Sequence, residues 1–453
     1  MNDVLNDFKA QELDSMDNLF DRLFPIFRSI TGKGVRQTLS ILNEYIPLSI
    51  ESVASGTEVF DWTVPKEWVI HEAWIKDEFG NEIINITNSN LHVVNYSEPI
   101  DQQIDLETLK KHVYTIPDKP TAIPYVISYY RERWGFCMSQ QQLDTLKEGH
   151  YHVYIDSEKI DGVLNYAQAV LPGKTNKEIL ISSYICHPSM ANNELSGPIV
   201  AAFLYNRLSK WENREFTYRF VFHPETIGSI TYLAKYGEHL KEHLYSGMVL
   251  TCLGGENNPL SYKKSRCIEN PLNELVEYLQ NDELTIREFT PLGGSDERQY
   301  CSPGFNLPMG QFSRMIYGKY SGYHNSLDTK ETMTIEALQK SVDEIEEILQ
   351  LQELNGYYIN TKPYGEPKLG KYGLYPDLNA PTNWGASNNK LIDGRQLLNE
   401  LLMVLNYSDG TQTLLEIVKK QQYKLTDYEG VIKKLKENQL LEGPFREKRG
   451  FLK

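Results

Sequence analysis

The chain has 453 residues, 40% of them hydrophobic and 24% charged, with a formal net charge of −15. That balance excludes a disordered chain, and the length exceeds what one core usually organises, so two or three domains are expected. The acidic excess argues against nucleic acid as the main partner. The first eleven residues are polar and no stretch approaches the ~18 apolar residues of a bilayer span, so the expectation is a cytoplasmic protein without a membrane partner. Five scattered cysteines, Cys137, Cys186, Cys252, Cys267 and Cys301, lack C-x-x-C spacing and read as reduced thiols.

Taken in chain order, the apolar spacing from Leu13 to about Tyr45 predicts two helices interrupted by Thr31-Gly32-Lys33-Gly34. From Thr57 the composition turns to Trp, Val, Ile and Thr, and Phe79-Gly80-Asn81-Glu82 reads as a hairpin turn within a β module that runs to about Ile155. Strand and helix patterns then alternate: Ile179 to Cys186, Pro198 to Trp211, Tyr218 to Phe222, Ile227 to His243, Met248 to Leu253, Leu307 to Phe312 and Thr334 to Leu354. This order predicts an α/β sheet covered by helices on both faces, with the β module inserted. The boundaries follow as 1–57 with 156–355 for the α/β domain, 58–155 for the insertion and 356–390 for a linker. Residues 391–453 read as three short helices and a wing, a winged-helix pattern. That module holds 11 Lys or Arg against 9 Asp or Glu, a footprint too weak to predict DNA binding.

Chemistry-bearing residues gather at three places. Cys186-His187-Pro188-Ser189-Met190-Ala191-Asn192-Asn193-Glu194-Leu195-Ser196-Gly197 lies where a buried strand gives way to a helix, the position of the ligand crevice in open α/β sheets. His223-Pro224-Glu225-Thr226 occupies a second such junction, where a half-dry glutamate can take a proton from water. Gly293-Gly294-Ser295-Asp296 and Tyr323-His324-Asn325-Ser326-Leu327-Asp328 follow, with Asp328 expected to orient His324 through its second ring nitrogen. Taken singly, each cluster also reads as a cap or turn. Aromatics of the β module, Trp62, Trp68, Trp74, Tyr129 and Trp134, read as core, with a lid over the crevice as the lesser alternative.

The order His, Glu, Ser-Asp, Tyr-His-x-x-x-Asp resembles the zinc aminopeptidases related to aminopeptidase S and glutamate carboxypeptidase. More closely, residues 184–197, 224–229 and 295–311 resemble a bacterial aminopeptidase-like family associated with surface-polysaccharide gene clusters. That family carries an inserted jelly-roll-like domain and a C-terminal winged helix. The resemblance implies a zinc-aminopeptidase-like mixed sheet flanked by helices, with His187 and His324 as metal ligands, Glu225 as general base and Tyr323 as oxyanion donor.

The chain departs from the superfamily at the ligands. Asn193 stands where a bridging carboxylate belongs, and Thr226 where a second glutamate belongs. One zinc rather than two is therefore expected, held by His187, His324 and Glu194, with Asn193 or Asp296 as substitutes. The function this implies is metal-dependent amide hydrolysis by an aminopeptidase acting on a peptide or an aminoacylated small molecule, with self-association as a further partner expectation. The alternatives are a catalytically degenerate binding protein linked to polysaccharide synthesis, and a winged-helix regulator with a ligand-sensing domain.

Overall fold

The computed structural model describes residues 2–379, 381, 392–421 and 423–450, with side chains from residue 7 onward. Part of the expected linker, residues 382–390, and residues 451–453 of the expected wing lie outside that set. The chain divides into two compact units, Met1–Glu344 and Ile345–Lys453. Among the described residues no helix is long and apolar enough to cross a membrane.

The first unit is built on an eight-stranded mixed sheet. Its order is Ser49–Ala54, Val163–Leu171, Thr217–His223, Glu178–Tyr184, Leu244–Leu250, Met309–Ser313, Leu260–Lys263 and Leu284–Arg287. The four central strands are mutually parallel; Val163–Leu171 and Leu260–Lys263, on either side, run antiparallel to them, and Leu284–Arg287 pairs parallel with Leu260–Lys263. A strand covered on both faces needs a continuous apolar run, and Glu178–Tyr184 is buried at every position. The expected strands Ile179 to Cys186, Tyr218 to Phe222, Met248 to Leu253 and Leu307 to Phe312 correspond to these central strands; Leu260–Lys263 and Leu284–Arg287 are not among those expected, because four residues rich in polar side chains carry no readable period.

Helices Ser196–Leu208 and Ile227–His243 follow the two central strands that end at the candidate loops. Gly197 begins the first of them where a Cβ would lie 2.3 Å from both the Leu250 carbonyl oxygen and the Ser183 hydroxyl, so only glycine lets this helix start against the sheet. The segment between the two N-terminal helices, residues 24–32, brings Arg28 into the interior.

Residues 67–160 contain a four-stranded antiparallel sheet in the order Glu82–Asn85, Glu67–Asp77, His150–Ile160, Ile100–Asp105, with the predicted turn at Asp77 to Asn81. Trp68 is buried there against Tyr96, as a core aromatic should be. Trp62 is not core: it sits on a two-residue strand without a facing sheet and packs edge-on against exposed Tyr130.

The second unit pairs Asp409–Thr413, Tyr357–Asn360 and Leu441–Phe445 in one antiparallel sheet beside helices Gly394–Tyr407, Leu414–Val418 and Tyr428–Glu437. The central strand, Tyr357–Asn360, falls in the segment expected to be linker. Its four residues are too short to show alternation between flanking Gly356 and Pro363, yet its buried Tyr358 and Asn360 face the helices' side of the unit.

Candidate active site

The loops after strands Glu178–Tyr184 and Thr217–His223 lie side by side because the strands are parallel neighbours, and Tyr184 pairs in register with His223. His187 and Glu225 therefore meet across the carboxyl end of the sheet, with His187 Nε2 3.7 Å from Glu225 Oε2. That separation is too long for a hydrogen bond. The Glu225 backbone N–H donates to Cys186 Sγ, and Ser295 Oγ donates to Glu225 Oε1 at 2.7 Å. Burial raises the Glu225 carboxyl above its usual range, opposed by the charge on His187.

The Ser295 loop is itself held from behind. Lys263, buried, donates to the carbonyls of Thr290 and Gly293 and to Glu297 Oε1, while Glu297 Oε2 accepts the Ser295 N–H. Backbone strain gathers around the same opening: Ser189, Thr226, Cys252 and His324 all have φ between +50° and +63°. Left-handed non-glycine residues cost about 1–3 kcal/mol each, and they persist where the surroundings over-determine them. Thr226, for instance, is fixed by Asp296 Oδ1, which accepts from its N–H and from Ser229 Oγ.

His324 joins the group from the far side. Its ring centroid lies 5.4 Å from that of His187, and Tyr323 stacks on it at 4.0 Å. Burial and the charge of His187 push the His324 pKa down to about 3, so it is a neutral imidazole. Asp328 does not orient His324. Its carboxylate accepts the N–H groups of Asn192 and Asn193 and the Tyr320 hydroxyl, holding the His187–Asn193 loop instead. His223 is fully buried, in reach of Ser182 Oγ and the Tyr300 hydroxyl, and its pKa is lowered by burial to about 4. Asp296 belongs to this interior group as well, with Oδ2 3.8 Å from His223 Nδ1 and otherwise unpartnered.

Two residues in the site went unread in the sequence. Arg28, 0% exposed, donates through Nε to the His187 carbonyl and through Nη1 to the Leu23 carbonyl, and its Nε lies 3.6 Å from Glu194 Oε1. Glu194 Oε2 in turn meets His187 Nδ1 at 2.8 Å. A guanidinium, a carboxylate and an imidazole thus form one buried chain. Burial alone would lower the His187 pKa, and its electronegative neighbours, Glu194 among them, hold it well above the usual value. Tyr125 is the second, carried by the β insertion. Its ring lies 5.1 Å from that of His187 and 5.5 Å from that of His324, and its N–H donates to the His324 carbonyl. The readable signal for Arg28 was a lone charge in the apolar run Phe24 to Ile30; Tyr125 offered none, since aromatics abound in that module.

A zinc ion needs three or four donors about 2.0–2.3 Å from one point. Donor atoms of Cys186, His187 and Glu194 lie within 4.8 Å of one another, and His324 stands outside that group. Within it His187 Nδ1 is hydrogen-bonded to Glu194, and the Cys186 thiol is pushed up to about 11 by burial. Glu194 Oε1 has no hydrogen-bond partner, but it faces the Arg28 guanidinium at 3.6 Å, which places a fixed cation where a metal ion would sit beside it. Asn193 contributes a carboxamide whose Nδ2 is buried without a partner. This donor set does not fit a resident zinc.

Residues 17–355 match the model of a family described as a domain of unknown function, DUF4910. This chain is a DUF4910 protein. Residues 356–443 match a winged helix-turn-helix model. The DUF4910 chain is 41% identical over 406 residues to a Clostridium acetobutylicum protein provisionally named a polysaccharide biosynthesis protein with an aminopeptidase-like domain, covering 89% of this chain and 90% of that one. A crystal structure from the same organism, provisionally called a peptidase, superposes with a TM-score of 0.85 at 37% identity, over 97% of this chain and 99% of that one. The zinc aminopeptidase BSAP of Bacillus subtilis gives 0.56 at 11% identity, over 75% and 93% of the two chains. An M28 peptidase precursor of Shewanella amazonensis gives 0.55 at 13%, over 76% and 92%. The DUF4910 fold is therefore aminopeptidase-like, with a winged helix at its C-terminal end.

Proposed function

We propose that this protein serves bacterial surface-polysaccharide synthesis as a ligand-binding relative of the aminopeptidases, one in which an internal guanidinium replaces the metal. The observation that carries this reading is the buried Arg28–Glu194–His187 chain, which neutralises the carboxylate nearest the first histidine from within the protein. The name of the C. acetobutylicum relative supports the pathway.

The ligand chemistry follows from what faces the opening. His187 Nε2 donates when the ring is protonated and Glu225 Oε2 accepts, with the Tyr125 ring packed on His187 and the Tyr323 ring stacked on His324. A neutral or cationic group with an N–H or O–H donor and an acceptor beside it, such as an amide or an amino alcohol, satisfies both atoms. The purified chain is expected to hold less than one equivalent of zinc and to show no chelator-sensitive hydrolysis of aminoacyl amides. One tightly held zinc per chain with chelator-sensitive turnover would reverse the assignment.

The poise of Glu225 favours a second reading, amide hydrolysis releasing N-terminal residues. Its carboxyl is raised by burial, steadied by Ser295 and 27% exposed, as a general base should be, and Tyr323 could donate to a developing oxyanion. In that case Glu225→Gln abolishes turnover while ligand affinity stays within a few-fold; unchanged turnover removes Glu225 from any mechanism.

A further inference from the structure

We propose that the C-terminal unit contains a binding site for a small protonated amine bearing hydroxyl groups, in the cavity between residues 363–367 and the last turns of helix Gly394–Tyr407. The cavity measures about 740 Å³. That size falls in the range of small-molecule sites, about 300–1,000 Å³.

The electrostatics of the lining select a cation. Glu366 and Asp409 line the cavity; among the described residues no lysine or arginine lines it, and Lys420 Nζ lies over the ring of the lining Tyr407 at 5.2 Å. Asn406 and Tyr407 belong to the final turn of the helix, where the unpaired carbonyls carry partial negative charge. An anion would meet carboxylates and helix carbonyls together, so phosphates and carboxylates are poor occupants.

Ser408 points independently to a ligand. It lines the cavity, is 1% exposed, and its hydroxyl has no hydrogen-bond partner. The backbone around it is fully employed, since its N–H donates to the Val404 carbonyl and its own carbonyl accepts from Asn360. A buried hydroxyl without a partner is uncommon in folded proteins, and a ligand hydroxyl would satisfy it. Asn399 and Asn406 add carboxamides suited to further hydroxyls, and Met403 gives an adaptable apolar wall for a small ring. An amino sugar has all these features at once.

Saturation-transfer NMR on the full chain tests this with glucosamine as probe and glucose and N-acetylglucosamine as uncharged controls. Glucosamine is expected to receive several-fold more saturation than either control. Glu366→Lys, a change at an exposed position, should remove that signal, as should Met403→Trp, which fills the cavity. Glu225→Gln, in the other unit, should leave it intact, which separates this site from the aminopeptidase-like cleft. Equal signals from glucose and glucosamine would overturn the proposal. So would a signal that survives Glu366→Lys in protein with an unchanged melting temperature, or one lost only in Glu225→Gln.

Discussion

At the residue scale, the decisive group is Arg28. A fully buried guanidinium needs its charge and N–H groups met; here Nε and Nη1 donate to two backbone carbonyls and Glu194 Oε1 lies 3.6 Å from Nε, while Nη2 has no hydrogen-bond partner. Removing one member of such a pair leaves the other charge stranded in the interior, at a cost of about 3–5 kcal/mol. Arg28→Met should therefore destabilise the protein by that amount in urea unfolding, and Arg28→Met with Glu194→Met should recover most of it. Equal destabilisation by the single and double changes would show that the two groups are not coupled. Tyr125 makes a separate prediction. Tyr125→Leu removes the ring packed on both histidines but keeps the N–H that holds His324, so ligand affinity should fall at least several-fold while the protein stays folded. A large loss of stability with normal affinity would make Tyr125 a packing residue only.

At the scale of elements, long periodic segments were legible and short or context-dependent ones were not. The expected helix Ile227 to His243 matches the observed one, and the three helices expected in residues 391–453 are present, because their apolar faces repeat at helical spacing. Tyr357–Asn360 was missed because its structure comes from pairing with Asp409–Thr413 and Leu441–Phe445, distant in sequence. The candidate site divides in the same way. His187, Glu225 and His324 stood out by residue type at strand ends, and they do converge on one opening. The roles of Asp328 and Glu194 depended on Asn192, Asn193 and Arg28, contacts that no local pattern encodes.

Helix Gly394–Tyr407 carries a prediction of its own. Glu400 is fully buried, accepts from Gln396, and is pushed up to about 7 by burial. Its folded pKa lies above the unfolded value, so the unfolded state ionises first as pH rises. Stability is then intact below about pH 4.5, falls as pH climbs towards 7, and levels off above it; the full loss is about 3 kcal/mol. Glu400→Gln should flatten that slope in unfolding experiments between these pH values, and an unaltered slope would mean that Glu400 does not titrate there.

At the scale of the whole molecule, an aminopeptidase-like sheet, a β insertion that reaches the cleft through Tyr125 and a winged-helix module are joined in one acidic chain. Superposition on zinc aminopeptidases describes the shared sheet and does not carry a metal to this chain. The most direct test is zinc stoichiometry. The full chain, incubated with equimolar zinc and desalted, should retain much less than one ion. Asn193→Asp together with Arg28→Met, which restores a carboxylate and removes the internal cation, should retain more. One zinc per wild-type chain, lost on His187→Ala, would contradict the account.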